Sequence, residues 1–148
     1  MKNHKTGLFA RMGGSFNRAF FILEIFGDDL DPDAISRELG VAPTKAYRKG
    51  DERPKGSQFY RTGGWIIDSG ELQLGDEDVG DKKFQDWLAL LPGDASKWKS
   101  LQRYEPQVRL VLYTDQMNAE FRVRPLAANE LSKRGLTLTI DPYLELDE

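Results

Sequence analysis

The residues of this chain that are best suited to chemistry lie in one short basic turn. The segment Tyr47–Asp51 reads YRKGD, and Arg53 and Lys55 follow closely, in a protein whose formal net charge is −3. A guanidinium can bind a carboxylate or a phosphate through two parallel hydrogen bonds. The turn therefore suggests recognition of an anion or of an acidic partner. The alternative is structural: Arg48 pairs with Asp51 or Asp68 and holds the loop in place.

A tryptophan stands close to this turn in the sequence, after two glycines in the segment Gly63–Trp65. Such a ring either opens a strand of the core or forms a platform at the rim of a pocket, and the core is the favoured interpretation. Both interpretations leave this region as the best candidate surface. The candidate binding residues are Tyr47, Arg48, Lys49, Asp51, Trp65 and Asp68.

Signatures of catalysis are mostly missing from the sequence. There is no cysteine, and the single histidine is His4, so the commonest general base and the usual transition-metal ligands are not available in the predicted domain. No serine lies in G-x-S-x-G, and no phosphate-binding glycine motif follows a predicted strand. These observations lean against an enzyme, and they predict no cofactor. A carboxylate pair near the strand ends remains an open possibility.

An acidic run at Asp28–Asp33 invites a calcium interpretation. An EF-hand loop that starts at Asp29 requires glycine at its sixth position and glutamate at its twelfth, and Ala34 and Gly40 stand there instead. Capping of a helix explains Asp31 and Asp33 without a metal. We therefore predict a helix start here and no metal site.

The elements around the basic turn are well marked. The apolar run Phe20–Phe26 predicts a central strand with both faces covered. Asp31 and Pro32 then begin a helix that ends at Gly40. The polar stretch Thr44–Gly64 predicts a long loop, and the strand of Trp65 follows it.

The second half of the chain continues the alternation of strands and helices. Apolar residues at helical spacing predict a helix that buries Phe84, Trp87, Leu88 and Leu91, and a shorter one presents Trp98. Strands at 108–113 and 119–124 are joined by a loop that suits a hairpin, and a helix at 126–134 precedes a strand at 136–140. The order β-α-β-α-β-β-α-β predicts an α+β fold, a mixed β-sheet with helices packed mainly on one face.

Composition bounds the class of protein. The 148 residues fit one domain, and we predict a flexible basic tail at 1–18 and a single α+β domain at 19–148. The absence of cysteine fits a reducing cytoplasm, and no apolar run is long enough to span a membrane. Arg109, Arg122 and Arg124 could share one sheet face, but a solvated face with cross-strand ion pairs is the default, so binding of nucleic acid is the least favoured function.

Several motifs, taken in order, resemble those of a bacterial family known only as a domain of unknown function, the one numbered 4279. The matching segments are Phe21–Ser36, Leu39–Thr44, Arg48–Asp51, Gly64–Trp65 and Ile140–Tyr143. The resemblance covers roughly Phe20–Tyr143. It implies a small bacterial α+β protein and supplies neither an activity nor catalytic residues.

Two functions remain open from the sequence. The first is a non-enzymatic module that binds a protein partner, of the immunity or accessory type, through the loop 44–64. The alternative is a binder of, or an enzyme acting on, an anionic small molecule through the region of Arg48, Lys49 and Trp65.

Overall fold

The computed structural model of the protein describes residues 14–56, 58–75 and 77–146. The fold is α+β with a mixed sheet, which confirms the predicted class. The elements are β1 (Gly14–Ser15), β2 (Arg18–Gly27), α1 (Pro32–Leu39), β3 (Lys45–Tyr47), β4 (Gly63–Asp68), β5 (Leu72–Gln73), α2 (Glu77–Leu88), α3 (Ser96–Lys99), a 3₁₀ turn (Gln102–Tyr104), β6 (Gln107–Thr114), β7 (Ala119–Glu120), α4 (Pro125–Arg134) and β8 (Thr137–Leu144). Within these ranges, no helix combines the length and the apolar character that crossing a bilayer requires.

The main sheet has the order β3-β4-β2-β6-β8, and β5 pairs with the start of β2. β6 and β8 run parallel, and the other neighbours in this sheet are antiparallel. The central position of β2 agrees with the sequence, but only alternate residues of this strand are buried. Phe21, for example, packs on Phe84 and Trp87 of α2, whereas Phe20 and Ile22 on the other face are only partly buried. The prediction that both faces of β2 are covered is therefore wrong.

Helix α1 begins and ends where its sequence indicates. The carboxylate of Asp31 accepts hydrogen bonds from the amides of Asp33 and Ala34, and Pro32 occupies the first turn. Gly40 follows the helix with a φ of 71°, a left-handed conformation that favours glycine, and its amide donates to Ser36. These local signals confirm the predicted helix.

The last third of the chain departs from the prediction in its pairing. β7 has two residues and pairs in parallel with β1, so the predicted hairpin with the preceding strand does not form. β8 runs on through Asp141 and Pro142 and ends only at Leu144. A proline is tolerated there because β8 is an edge strand, whose outer amides need no partner in the sheet. The alternation of apolar and polar residues does not predict that β7 has only two residues or that β8 extends to Leu144.

Part of the predicted tail at 1–18 belongs to the fold. Gly14 and Ser15 form β1, Phe16 is buried, and Arg18 begins β2. Residues 14–18 therefore belong to the fold and not to a tail. Positions 1–13, which the sequence also assigned to a basic tail, lie outside the described residues.

Candidate functional site

The loop predicted between residues 44 and 64 contains a strand and a short antiparallel excursion. β3 pairs with β4, and beyond it the backbone of residues 50–53 pairs with that of residues 58–60. The amide of Arg53 donates to the carbonyl of Gln58, the amide of Tyr60 donates to Asp51, and Glu52 and Phe59 form an isolated bridge. The loop is therefore an ordered projection from the sheet edge.

A cleft of about 540 Å³ lies between this projection and β3. Three cations, three aromatic rings and two neutral polar residues line it: Lys45, Arg53, Arg61, Tyr47, Phe59, Tyr60, Gln58 and Thr62. No carboxylate is among these lining residues. We call this feature the cation–tyrosine cleft.

Two stacked tyrosines form one wall of the cation–tyrosine cleft. The ring centroids of Tyr47 and Tyr60 are 3.6 Å apart and the rings are inclined by 8°. The Tyr47 ring lies directly over Gly64, where an added Cβ would come within 2.4 Å of the tyrosine Cζ atom. The glycine before Trp65 therefore permits the close approach of Tyr47 to the sheet.

Two cations, Lys45 and Arg53, lie close to this tyrosine stack. The Lys45 ammonium lies 5.5 Å from the centroid of Tyr47 and 5.6 Å from that of Tyr60, and the Arg53 guanidinium lies 5.2 Å from the Tyr60 centroid. These distances allow cation–π attraction. Partial burial raises the pKa of the Tyr47 phenol, although nearby Lys45 opposes the shift. The phenol is therefore neutral near pH 7 and can donate a hydrogen bond.

Arg48 and Lys49, two of the predicted binding residues, lie outside the cation–tyrosine cleft. Arg48 Nη2 is 2.8 Å from Asp31 Oδ1 and 3.3 Å from Asp33 Oδ2, and Lys49 Nζ is 3.4 Å from Asp28 Oδ2. The two cations thus attach the turn to the start of α1. Arg48 therefore holds the loop in place, as the structural alternative predicts. Its guanidinium pairs with Asp31 and Asp33, however, and not with Asp51 or Asp68.

Asp51 and Asp68 each accept a hydrogen bond from a nearby backbone amide. Asp51 Oδ2 accepts a hydrogen bond from the backbone amide of Arg48 at 2.8 Å, which closes the basic turn. Asp68 Oδ1 accepts from the Gly70 amide at 2.8 Å, at the far end of β4. Neither carboxylate lines the cation–tyrosine cleft.

Trp65 is a core residue, which confirms the favoured interpretation and removes it from the candidate surface. Its side chain has 0% exposure, and its indole N–H donates to Ser36 Oγ at 3.0 Å. A residue buried in this way contacts α1 and cannot contact a partner. Of the candidate residues, only Tyr47 therefore lines the cation–tyrosine cleft.

The acidic run before α1 holds basic side chains and caps the helix. Besides the contacts of Arg48 and Lys49, Asp29 pairs with Arg103 at 2.7 Å. Desolvation by itself raises the pKa of the Asp31 carboxyl, but the Ala34 amide and the Arg48 guanidinium outweigh it, so this pKa is lowered. In the described part of the chain, no group of three or more possible metal ligands lies together.

We expect the capping role of Asp31 to exceed its charge role. Asp31→Ala removes the acceptor for two helix amides and should lower the melting temperature by about 2–4 °C, whereas Asp31→Asn keeps an acceptor and should cost less. Thermal unfolding of both variants measures the difference. Arg48→Ala is the matched control, and it should have the smallest effect because exposed ion pairs contribute little. Equal losses for Asp31→Asn and Asp31→Ala would instead assign the stabilisation to charge.

The three arginines considered for a basic sheet face do not form one. Arg109 lies on β6 and pairs with Glu24 of β2 at 2.7 Å and with Asp141 of β8 at 3.6 Å. Arg122 and Arg124 follow β7 outside the sheet. The default of cross-strand ion pairs therefore holds for Arg109, and the basis for nucleic-acid binding by a sheet face is lost.

Sequence patterns do not point to most of the residues of the cation–tyrosine cleft. Arg53 stands out as a cation close to the basic turn, whereas Lys45, Phe59, Tyr60 and Arg61 fall within the predicted loop at 44–64. A usable signal was present: the Pro54 and Gly56 turn residues separate two short segments that can pair as an excursion. Aromatic and basic residues on both sides of such a turn are brought into contact by the pairing.

One family model matches this chain. The model of the family described as Domain of unknown function (DUF4279) matches residues 17–145. No curated protein and no solved structure matches the chain.

Proposed function

The chain belongs to the DUF4279 family, and we propose that it is a non-enzymatic binding module that recognises an acidic segment of a partner protein through the cation–tyrosine cleft. The module would be of the accessory or immunity type. That it works in a bacterial cytoplasm stays a prediction of the sequence.

The observation that carries this proposal is the composition of the cleft. Lys45, Arg53 and Arg61 line it without a carboxylate, and no ion pair joins any of the three to a described residue. The whole chain carries a net charge of −3, so this patch opposes the sign of the protein as a whole. A patch of opposite sign favours encounter with an acidic surface and disfavours wrong partners.

The aromatic residues support a protein partner. Tyrosine, arginine and other large side chains dominate the binding energy of protein interfaces. Phe59 is 59% exposed at the rim of the cleft, and Tyr47 and Tyr60 supply a rigid apolar wall beside the cations. Tyr47 and Lys45 also belong to β3, an edge strand of the sheet. The cleft thus combines an apolar anchor site with a charged rim.

The same lining favours binding over catalysis. The described residues of the cleft are lysine, arginine, tyrosine, glutamine, threonine and phenylalanine. Burial raises the pKa of Tyr47, so this phenol is a poorer base near pH 7 than an ordinary tyrosine. A general base works best with a pKa near the operating pH. These side chains can therefore neutralise and orient an anion more readily than they can remove a proton.

Charge reversal in the cleft tests the proposal. We expect Arg53→Glu/Arg61→Glu to lose a stoichiometric partner that the wild-type chain captures from the lysate of its native host. With the partner then purified, the dissociation constant of the double variant should rise at least a hundredfold, because two favourable charge pairs become repulsive. Capture with mass spectrometry followed by calorimetry measures both effects.

Arg37→Glu/Lys99→Glu is the matched control, since it makes the same charge change at exposed positions away from the cleft. The control should retain the partner, and all three proteins should share one melting temperature within a few degrees. The proposal fails if the cleft variant keeps the wild-type dissociation constant, or if both double variants weaken binding equally.

The alternative, a small anionic ligand in the same cleft, has a different signature. A ligand that binds only the folded chain must raise its melting temperature. A shift with small phosphates or carboxylates, together with a capture that yields no partner, would favour that alternative.

A further inference from the structure

The geometry of the cation–tyrosine cleft points to the group that it recognises: we infer that the cleft binds a phosphoryl oxyanion in preference to a single carboxylate. This inference rests on the proposed function, because it specifies the anion at the same site. A phosphoryl group could be carried by a phosphorylated side chain of a partner or by a small phosphate ester. The chemistry of recognition is the same for both sources.

The number of cations in the cleft favours a phosphoryl group. Lys45, Arg53 and Arg61 bring three positive charges to one cleft of about 540 Å³. A carboxylate carries one negative charge, whereas a phosphoryl group carries about 1.5 to 2 at pH 7 and offers three acceptor oxygens. Two guanidinium groups can each form paired hydrogen bonds with such a group, as they do at phosphate sites. A phosphoryl group therefore matches the charge of the cleft better than a single carboxylate.

The cleft also contains polar side chains that are available to donate hydrogen bonds. Among the described residues, the hydroxyl groups of Tyr47, Tyr60 and Thr62 and the side-chain amide of Gln58 make no hydrogen bond to another residue. Each of these groups can donate to an anionic oxygen. A tetrahedral group with three oxygens can accept from several directions at once, whereas a planar carboxylate presents only two oxygens.

The tyrosine stack leaves no space for a ring of the ligand between its two members. With the centroids of Tyr47 and Tyr60 only 3.6 Å apart, no third ring fits between them. The Lys45 ammonium is 5.5 Å from the Tyr47 centroid and 5.6 Å from the Tyr60 centroid, so it lies beside the stack, and the Arg53 guanidinium is 5.2 Å from the Tyr60 centroid. A planar base stacked on Tyr60 would compete with Arg53, whereas an oxyanion would contact both cations. The oxyanion is therefore the recognised part of a ligand.

The test is a titration of the full chain followed by ¹H–¹⁵N NMR at low ionic strength, with inorganic phosphate and acetate as probes. We expect phosphate to perturb the amides of residues 45–47 and 58–62 in a saturable manner and to bind at least tenfold more tightly than acetate. Binding should strengthen severalfold between pH 5.5 and 7.5, because phosphate gains its second charge at a pH near 6 to 7.

Variants and carriers complete the test. Arg53→Gln/Arg61→Gln should weaken phosphate binding at least tenfold, and Arg37→Gln/Lys99→Gln should not change it. A phosphoserine peptide that binds more tightly than both free phosphate and a nucleoside monophosphate identifies a partner's side chain as the source. The reverse order identifies a small ester.

Three results would overturn the inference: equal affinity for phosphate and acetate, unchanged phosphate binding in the cleft variant, or perturbations spread over all the lysines and arginines, which would mean an adventitious ion only. If phosphate shows no preference while partner capture still depends on Arg53 and Arg61, the phosphoryl inference fails and the proposed function stands. If capture is also independent of these arginines, both fail.

Discussion

Replacing Trp65 by alanine should lower the free energy of unfolding by about 3–5 kcal/mol, the range found for removal of large buried aromatic side chains. The indole is fully buried in the hydrophobic core, and its cross-strand neighbours are Ile25 of β2 and Ala46 of β3. Its N–H also donates to Ser36 Oγ, so truncation leaves a cavity and removes a tie between β4 and α1. Urea unfolding, followed by circular dichroism, measures the loss.

Trp65→Phe separates the two contributions. Phenylalanine keeps most of the ring volume and loses the N–H donor, so we expect a cost below that of alanine. Ser36→Ala removes the other partner of the hydrogen bond, and the double variant completes a mutant cycle. A loss of less than about 1 kcal/mol for Trp65→Ala would contradict the buried position. The same reasoning makes Trp65→Ala unsuitable as a probe of binding, because its effect on capture would report unfolding.

Replacing Arg134 by methionine should cost about as much, roughly 3–5 kcal/mol, because it removes the five hydrogen bonds that a buried guanidinium donates. The guanidinium, at the end of α4, has 2% of its surface exposed. It donates to the carbonyl oxygens of Pro92 at 2.8 Å, Leu91 at 3.1 Å and Leu88 at 3.5 Å, and also to the carbonyl and carboxylate of Glu130. Two of these carbonyls also have a second donor, because Leu88 accepts from the Leu91 amide and Pro92 accepts from the Trp98 indole. Arg134 therefore ties the end of α4 to the segment that follows α2.

Arg134→Lys tests whether geometry or charge matters. The lysine ammonium retains the charge, but it cannot contact all the acceptors that the three guanidinium nitrogens contact. We therefore expect Arg134→Lys to lower the free energy of unfolding by about 1–3 kcal/mol. Chemical unfolding of the two variants and the wild type gives the comparison. If lysine restored full stability, the carbonyl contacts would have no energetic weight and only the charge of Arg134 would matter.

Acid should weaken this contact through Glu130. The hydrogen bond from Arg134 lowers the pKa of the Glu130 carboxyl below its ordinary value of 4.5, and Lys133 adds to the shift. A carboxyl whose pKa is lower in the folded than in the unfolded chain stabilises the fold above its ordinary pKa. This contribution is lost as the pH falls through the lowered value. The difference in stability between wild type and Glu130→Gln should therefore shrink below about pH 4 and be constant near pH 7.

The sequence alone determined the features that depend on neighbours along the chain. Asp31, Pro32 and Gly40 mark the ends of α1 because capping and left-handed turns act within one helical turn. The α+β class followed from the alternation of apolar periods. The burial of Trp87 and Trp98 followed from helical spacing, and the structure confirms it.

Only the tertiary structure decided how distant segments meet. Pairing of β7 with β1 joins residues more than a hundred positions apart, and alternation within a strand carries no information about its partner. The coverage of β2 on one face depends on where the helices pack, which the strand's own residues do not encode.

The candidate site shows the same division at the level of single residues. Arg48 and Lys49 stand out because they are adjacent in sequence, yet both pair with acids that lie 15 to 21 positions earlier and that only folding brings near. Lys45, Arg53 and Arg61 are scattered along the chain and converge because β3 and the excursion at 50–60 fold against each other. Local chemistry along the chain identified the region, and non-local backbone pairing chose which of its cations face the cleft.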